Sequence, residues 1–416
     1  MQDDSGDTPT EAEKAARRAK NAANRARREA NAAARADRKT KRGNATAAAT
    51  ETPIQAKNRR NPARLRQDSA IRAPNPAPAD NRDKSARPPE GFNILLVVQA
   101  GRLTYEAALF VESLRRNAPG WQGRLILAEP RAEAAWAGHA PAIPDAARAV
   151  FESRGAEITP FTARHFGAAY PHGNKIEALK LLPEGEPFVF FDSDTLVTGP
   201  LDRVGFDFAR PSASMRREGT WPKPPLYGPG YADIWKSLYD RFGLDFASSL
   251  DLSQPDEHWE RYLYFNAGWF FGADPAEFRR RFLDWSRAIL DDPGDALAVQ
   301  ELFPWLDQIT LPLVIHSLGG GRPGPELGGL DSDITCHWRK LPLLYARESD
   351  RVVEVLEQAA APPDIAALLK GWEPALRLIL QGHGRGALRP AIDRDRLPRA
   401  ERPLRQQIKR AGWWLV

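Results

Sequence analysis

The chain has 416 residues and a net charge of +5, with 42% hydrophobic residues, 27% charged residues and a single cysteine. One cysteine excludes an intramolecular disulfide framework and a cysteine-rich zinc or iron–sulfur site. The sequence contains no run of about 18 apolar residues, which is the length that a transmembrane helix needs. The N-terminus also lacks the apolar segment of a secretory signal. We therefore expect a soluble protein in the cytoplasm.

The positive charge is concentrated at the two ends of the chain. Residues 1–90 carry +9, residues 91–369 carry −11 and residues 370–416 carry +7. The first 90 residues contain no tryptophan, phenylalanine or tyrosine, so they cannot bury enough apolar area to offset the entropy of ordering. We predict a disordered basic tail over residues 1–90, a folded α/β domain over 91–345 and a C-terminal helical extension with a basic tail over 346–416.

Apolar, strand-like runs alternate with helical patterns in the first half of the folded domain. The predicted strands are residues 92–99, 124–130, 156–161 and 188–191, and the predicted helices are 103–117, 143–155 and 174–183. This alternation predicts a mainly parallel sheet with right-handed crossovers. Further on, we predict helices at 231–242, 275–290, 350–360 and 365–381, a strand at 262–272 and a glycine-rich loop at 319–329.

Two aspartates directly follow the fourth predicted strand. The segment FVFFDSDT places Asp192 and Asp194 at its carboxyl end, which is where ligands bind in open α/β sheets. Two carboxylates this close repel each other unless a cation lies between them. Mg²⁺ or Mn²⁺ would bind both carboxylate and phosphate oxygens. A solvated Asp-Ser-Asp turn is the alternative.

Four segments in order make the chain resemble GT-A fold glycosyltransferases, in pattern those of glycosyltransferase family 8 and its bacterial relatives. They are VVQAGRLTYEAALFVESLRRNAP, FVFFDSDTLV, YFNAGWFFG and WLDQITLPL, within residues 91–345. The resemblance implies an enzyme that transfers a sugar from a nucleotide-diphosphate sugar, with UDP as the expected nucleotide. It also implies a divalent cation, Mn²⁺ or Mg²⁺, bound by a DxD segment. The sequence does not identify the acceptor.

The resemblance also implies roles for single residues. Asp192 and Asp194 would hold the metal, and Asp307 and Gln308 would lie near the anomeric carbon of the donor. The remaining donor contacts expected from these segments are Gln99, Ala100, Gly101, Arg102, Ser193, Asn266, Ala267 and Gly268. The anomeric configuration would be retained, whereas in an inverting relative Asp307 could serve as the general base.

The family's closing motif, a histidine followed by glycine, lysine, proline and tryptophan, is only partly present. The segment CHWRKLP supplies His337 as a third metal ligand and Lys340 for the diphosphate, but it lacks the glycine and Leu341 intervenes. His316 is the competitor for the metal, and a structural histidine is the alternative for either residue. Lys175 starts a predicted helix, where backbone N–H groups favour phosphate; a solvated surface lysine is the alternative.

Two other functions stay open at this point. A nucleotidyltransferase on a similar fold would release pyrophosphate, but QAGRLTYE poorly matches the glycine-rich basic loop that usually follows its first strand. The second is a non-catalytic binding protein that would dock on nucleic acid or anionic lipid through its basic ends.

The C-terminal segment RPLRQQIKRAGWWLV has two interpretations. Its basic residues and Trp413 and Trp414 could hold the enzyme weakly at the inner face of an anionic membrane. Alternatively, the tryptophan pair packs on the folded body. We do not expect nucleic acid as a partner, because the N-terminal tail has no aromatic residues for stacking on bases.

Overall fold

The computed structural model describes residues 91–216 and 219–416, so the predicted disordered tail over residues 1–90 lies outside the described part. In chain order, strands β1 to β7 are Asn93–Val97, Leu125–Pro130, Ala156–Phe161, Phe188–Phe191, Thr195–Val197, Trp269–Gly272 and Thr335–His337. Helices α1 to α12 are Arg102–Asn117, Asp145–Glu152, Asn174–Ala178, Tyr231–Arg241, Pro275–Asp291, Gly294–Leu297, Leu306–Ser317, Leu341–Arg347, Asp350–Ala360, Pro363–Leu369, Glu373–Ala375 and Glu401–Arg410.

The central sheet has five strands in the order β3-β2-β1-β4-β6. Strands β1 to β4 run parallel, and β6 pairs antiparallel with β4. The predicted mainly parallel sheet is therefore confirmed. The chain builds β2 and β3 on one side of β1 and then returns to form β4 on the other side. In open α/β sheets, ligands bind outside the carboxyl ends of the strands at such a reversal, and Asp192 follows β4 at this point.

A second, two-stranded sheet brings a distant segment to the same edge. Strand β5 pairs antiparallel with β7, with Thr195 opposite His337. The backbone N–H of Trp338 then donates to the carbonyl oxygen of Asp194 at 3.0 Å. Because Thr195 directly follows Asp194, this pairing carries His337 to the carboxyl end of β4.

Two apolar layers cover the two faces of the central sheet. Alternate residues of β1 divide between them, with Ile94 and Leu96 in the layer of α1 and α2, and Leu95 and Val97 in the layer of α4, α5 and α7. The C-terminal helices complete the first of these layers rather than forming a core of their own; their buried members include Leu356, Ile365, Leu404 and Ile408. Within the described residues, no helix is both long and apolar enough to cross a bilayer.

Several predicted elements differ from the structure. The strand predicted over residues 262–272 is wrong in its first part, because β6 begins only at Trp269, after a turn in which Ala267 has φ 58°. The helix predicted over 365–381 is interrupted at Gly371 and ends in a π-helical turn, Leu376–Leu380. The glycine-rich loop contains a 3₁₀ helix, Pro325–Asp331. Finally, α12 forms where the sequence predicted only a basic tail.

Candidate active site

Three side chains at the end of β4 are arranged so that they could bind a metal ion. One ligand atom each from Asp192, Asp194 and His337 lies within 4.8 Å of the others. Nε2 of His337 is 3.1 Å from Oδ1 of Asp194. Two carboxylates and an imidazole are a donor set that fits a divalent cation.

His316 lies outside this group. It is near the end of α7, where Nε2 is 3.0 Å from the hydroxyl of Ser248 and the ring packs edge-on against Tyr239. Burial lowers the pKa of His316. Of the two histidines that the sequence left as alternatives, the structure brings His337 to the aspartates.

The two aspartates differ in their electrostatic surroundings. Burial raises the pKa of Asp192, although Lys175 opposes the rise. For Asp194 burial acts in the same direction, but His337 and Arg102 outweigh it and lower the pKa to about 2. The Asp194 charge in turn raises the pKa of His337 against the effect of burial. Asp194 is therefore ionised at neutral pH and available as a ligand.

Lys175 links the candidate metal site, formed by Asp192, Asp194 and His337, to the opposite wall of the pocket. Its buried ammonium lies 2.9 Å from Oδ1 of Asp192 and 3.2 Å from Oδ2 of Asp307, and it donates to the carbonyl oxygen of Ala267 at 3.2 Å. Burial alone would lower the pKa of Lys175, but the two carboxylates raise it. Lys175 is thus a buried cation shared by two carboxylates and not a solvated surface lysine.

Asp307 and Gln308 lie at the start of α7, and tyrosines hold both side chains. The hydroxyl of Tyr170 donates to Oδ1 of Asp307 at 2.8 Å and accepts from the Asp307 backbone N–H at 3.0 Å. The hydroxyl of Tyr264 donates to Oε1 of Gln308 at 2.7 Å. With Lys175 on its other oxygen, the Asp307 carboxylate is held from two sides.

The turn before β6 brings Asn266, Ala267 and Gly268 against the candidate metal site. Oδ1 of Asn266 accepts from the Gly268 N–H at 2.7 Å, and its amide donates to the carbonyl of Arg216. The carbonyl oxygen of Gly268 accepts from the Asp192 N–H at 2.8 Å. These bonds fix the turn beside Asp192.

The turn after β1 reaches the other side of the aspartates. Gly101 adopts φ 88° before the first residue of α1, which favours glycine at this position. Nη1 of Arg102 lies 2.9 Å from Glu106 and 3.9 Å from Asp194. Ser193 donates its hydroxyl to the fully buried Glu106 at 3.0 Å. Burial, and then the Asp194 charge, raise the pKa of Glu106 well above its usual value.

Gln99 and Ala100 complete this turn. The side-chain oxygen of Gln99 accepts from Asn174 at 3.5 Å, and its backbone carbonyl accepts from the hydroxyl of Thr104 at 2.8 Å. The backbone N–H of Ala100 donates to Pro141 at 2.8 Å. The predicted residues of the first turn therefore lie at the carboxyl end of β1, beside the switch in strand order.

Many of these residues line two adjoining pockets, whereas Ala100, Gly101, Ala267 and Gly268 line neither. An inner pocket of about 170 Å³ lies between the turn after β1 and Ser193, and its walls include Val97, Gln99, Leu103 and Phe190. An outer pocket of about 600 Å³ holds Asn266, Asp307, Gln308, His337 and Lys340. The residues common to both pockets are Arg102, His172, Lys175, Asp192 and Asp194. The two aspartates of the candidate metal site thus lie where the two pockets meet.

Residues 94–319, more than half of the chain, match the Rhodobacterales glycosyltransferase domain family. The chain belongs to this family. The sequence-based prediction of a glycosyltransferase with a GT-A type α/β fold is confirmed, whereas membership of glycosyltransferase family 8 stays a prediction.

The glycosyltransferase is also similar to solved structures, each at low identity. The galactosyltransferase LgtC, crystallised with donor and acceptor sugar analogues, is 15% identical, with 67% of this chain and 99% of that chain covered and a TM-score of 0.39. The glycosyltransferase GlyE of Streptococcus pneumoniae is 11% identical, with 69% of this chain and 65% of that chain covered and a TM-score of 0.36. WbbM, a bifunctional glycosyltransferase, is 12% identical, with 68% of this chain and 52% of that chain covered and a TM-score of 0.39. No curated protein matches the sequence.

Sequence reasoning missed three parts of the candidate site. Tyr170 and Glu106 were not singled out, although they hold Asp307 and Ser193 respectively. The third is α12, whose polar face lines the outer pocket. A signal for α12 was present, because Leu404 and Ile408 are spaced as one buried face of a helix.

Proposed function

We propose that this glycosyltransferase takes a sugar from a nucleotide-diphosphate sugar, with UDP as the nucleotide, in a reaction that depends on Mn²⁺ or Mg²⁺. The observation that carries the proposal is the group of Asp192, Asp194 and His337 at the junction of the two pockets. A donor with its nucleotide in the inner pocket would have its diphosphate at this junction. When bound, the cation would neutralise the charge that develops on the departing diphosphate.

The residues around the junction have chemistry that suits the donor. The turn from Gln99 to Gly101, together with Ser193, would contact the nucleotide. The side chains of Arg102 and Lys340 would meet the diphosphate, since both line the outer pocket next to Asp194. Charge-assisted hydrogen bonds from arginine and lysine to phosphate are among the stronger polar contacts in proteins.

The wall formed by Asp307, Gln308 and the turn from Asn266 to Gly268 would face the donor sugar. We propose retention of the anomeric configuration. Oδ2 of Asp307 lies 3.2 Å from the Lys175 ammonium and Oδ1 accepts from the Tyr170 hydroxyl at 2.8 Å, so both carboxylate oxygens already have a donor within this chain. A carboxylate held in this way suits stabilisation of positive charge on the sugar better than the general-base role that inversion would require.

A nucleotide-release screen tests the proposal. Purified enzyme is incubated with common sugar nucleotides and Mn²⁺ or Mg²⁺, and release of the nucleoside diphosphate is measured with and without EDTA. We expect release from a UDP-sugar that EDTA abolishes. Pyrophosphate release from a nucleoside triphosphate would instead favour nucleotidyl transfer, and the absence of any turnover or nucleotide binding would favour a non-catalytic role.

We also propose a weak contact of the C-terminal region with anionic membranes at the inner face of the cell membrane. Exposed cations such as Arg399 and Arg410 support it, but the tryptophans do not, because Trp413 and Trp414 pack against the core layer of α1. Sedimentation with anionic and neutral vesicles at two salt concentrations tests it. Binding to anionic vesicles that salt weakens is expected, and equal binding to neutral vesicles would contradict it.

A further inference from the structure

One face of α12 forms a wall of the outer pocket. Arg402, Arg405, Gln406 and Lys409 all line this pocket, and their i, i+3, i+4, i+7 spacing places them on one face of the helix. Leu404 and Ile408 are buried in the core on the other side. The guanidinium of Arg405 and the ammonium of Lys409 also lie 5.1 and 5.9 Å from the ring of Trp414. The basic face of α12 is therefore held against the site by packing.

The outer pocket carries more positive charge than its own carboxylates neutralise. Lys175 is matched by Asp192 and Asp307, and Glu401 pairs with Arg339 and Arg405. Lys340, Arg402 and Lys409 form no ion pair with a carboxylate anywhere in residues 91–216 and 219–416. Burial and the charge of Arg102 lower the pKa of Lys340, as expected where cations are close to one another.

We infer that the basic face of α12 binds an anionic group, a phosphate or a carboxylate, on the acceptor of the transfer reaction. This inference rests on the proposed function, because it assumes that the donor occupies the inner pocket and the junction. No residue of α12 lines the inner pocket, whereas α12 shares the outer pocket with Asp307 and Gln308. Arg402 and Lys409 are about 10 Å apart along the helix axis at 1.5 Å per residue, a greater span than a single diphosphate would occupy.

The test is a calorimetric titration of the full-length enzyme, saturated with UDP and Mg²⁺, with inorganic phosphate and glucose 6-phosphate. Both should bind, and glucose should bind at least tenfold more weakly than glucose 6-phosphate. The double variant Arg402→Ala/Lys409→Ala should bind phosphate at least fivefold more weakly, with its UDP affinity changed less than twofold. The matched control Arg399→Ala/Arg410→Ala removes the same charge from exposed positions outside the pocket and should bind phosphate like the wild type.

Three results would overturn the inference. If UDP displaces the phosphate, the phosphate was bound at the donor site. Equal losses of phosphate affinity in the two double variants would indicate non-specific attraction, and equal affinities for glucose and glucose 6-phosphate would show no preference for charge. If no nucleoside diphosphate binds, the proposed function fails. The phosphate titration without nucleotide then still compares the two double variants, so the two failures can be distinguished.

Discussion

Gly268 and His337 are so close that a β-carbon on residue 268 would lie 2.3 Å from Nδ1 of His337. A contact this short forces one of the two to move. The glycine belongs to the turn before β6, and the histidine ends β7 opposite Thr195. The absence of a side chain at position 268 is thus what allows the imidazole to reach Asp194.

Replacing this glycine should weaken metal binding. In Gly268→Ala the added methyl group displaces the His337 ring, so we expect Mn²⁺ affinity to fall by about tenfold or more, the range seen when the support of a metal ligand is lost. Overpacking should also cost about 1–3 kcal/mol of stability. Calorimetric Mn²⁺ titration measures the affinity. Gly328→Ala, where a β-carbon meets nothing within 4 Å, is the control, and unchanged Mn²⁺ affinity in Gly268→Ala would refute this account.

Removing one carboxylate should abolish turnover without unfolding the enzyme. In Asp194→Ala, His337 loses the partner at 3.1 Å that raises its pKa, and the donor set is reduced to two groups. We expect no nucleotide release and a thermal unfolding curve close to that of the wild type, because the side chain lies in a cleft. Asp333→Ala, an exposed aspartate just before β7, should remain active. Full turnover of Asp194→Ala in EDTA would disprove a metal role for this residue.

Lys175 should be needed for both turnover and stability. In Lys175→Met, Asp192 and Asp307 lose the ammonium that lies about 3 Å from each. We expect nucleotide release to fall by about 100-fold or more, as when a preorganised charge contact is removed from an active site, and a stability loss of about 3 kcal/mol from the uncompensated carboxylates. Lys180→Met, which removes an exposed lysine bonded to the Thr162 carbonyl, is the comparison. Wild-type turnover in Lys175→Met would contradict a role in catalysis for the contacts of Lys175 with Asp192 and Asp307.

Arg154 should couple α10 to α1 in a pH-dependent way. It contacts Glu112 of α1 at 2.7 Å and Asp364 of α10 at 2.7 Å. Burial would raise the pKa of Glu112, but its bonds to Arg115 and Arg154 lower it overall; the bond to Arg154 also lowers the pKa of Asp364.

For carboxyls with lowered folded pKa values, the stabilisation is present above their unfolded values of about 4 and is lost as the pH falls through the folded values. Arg154→Ala should cost about 2 kcal/mol at pH 7, because Glu112 keeps Arg115 as a partner at 2.6 Å, and the difference from wild type should shrink toward pH 3. Urea denaturation at both pH values measures it. Arg124→Ala, at an exposed pair with Glu157, should cost less than about 1 kcal/mol. A pH-independent difference would contradict the ionic origin.

Residues 1–90 should be dispensable for catalysis. Their composition cannot build a core, and every segment of the family match lies after them. A chain that begins at Arg87 should unfold cooperatively and release nucleotide at close to the full-length rate. Loss of cooperative unfolding in the shortened chain would show that these residues are structural.

Local patterns were enough to predict the elements that place the aspartates. The alternation of apolar runs and helical periods predicted β1 to β4 and their parallel pairing, because a helical connection between successive strands is typical of a parallel sheet. Strands β1, β2 and β4 are buried throughout, whereas the edge strand β3 is partly exposed. The position of Asp192 and Asp194 followed from the strand before them. His337 needed the family resemblance, since its approach depends on the pairing of β5 with β7 far along the chain.

Other contacts could not be predicted because they arise only from packing. Tyr170 lies 137 residues before Asp307 in the chain, and a tyrosine in an aromatic-rich stretch has no distinguishing spacing. The strand predicted from Tyr262 failed at its start because the side chain of Asn266 supports a turn that apolar periodicity does not show. Helix α12 was not predicted because most of its residues are charged or polar. Only Leu404 and Ile408 show the apolar spacing of a buried helical face.

The shared core of α1 and the C-terminal helices also sets the order of events during synthesis. Leu404 and Ile408 belong to the same apolar layer as α1, yet they leave the ribosome about 300 residues after that helix begins. At about 5–20 residues per second, this delay is on the order of 15–60 s. During that interval this apolar layer lacks its last residues and the outer pocket lacks one wall. The nascent chain therefore passes through an aggregation-prone stage, and the outer pocket acquires its last wall only after α12 has been synthesised.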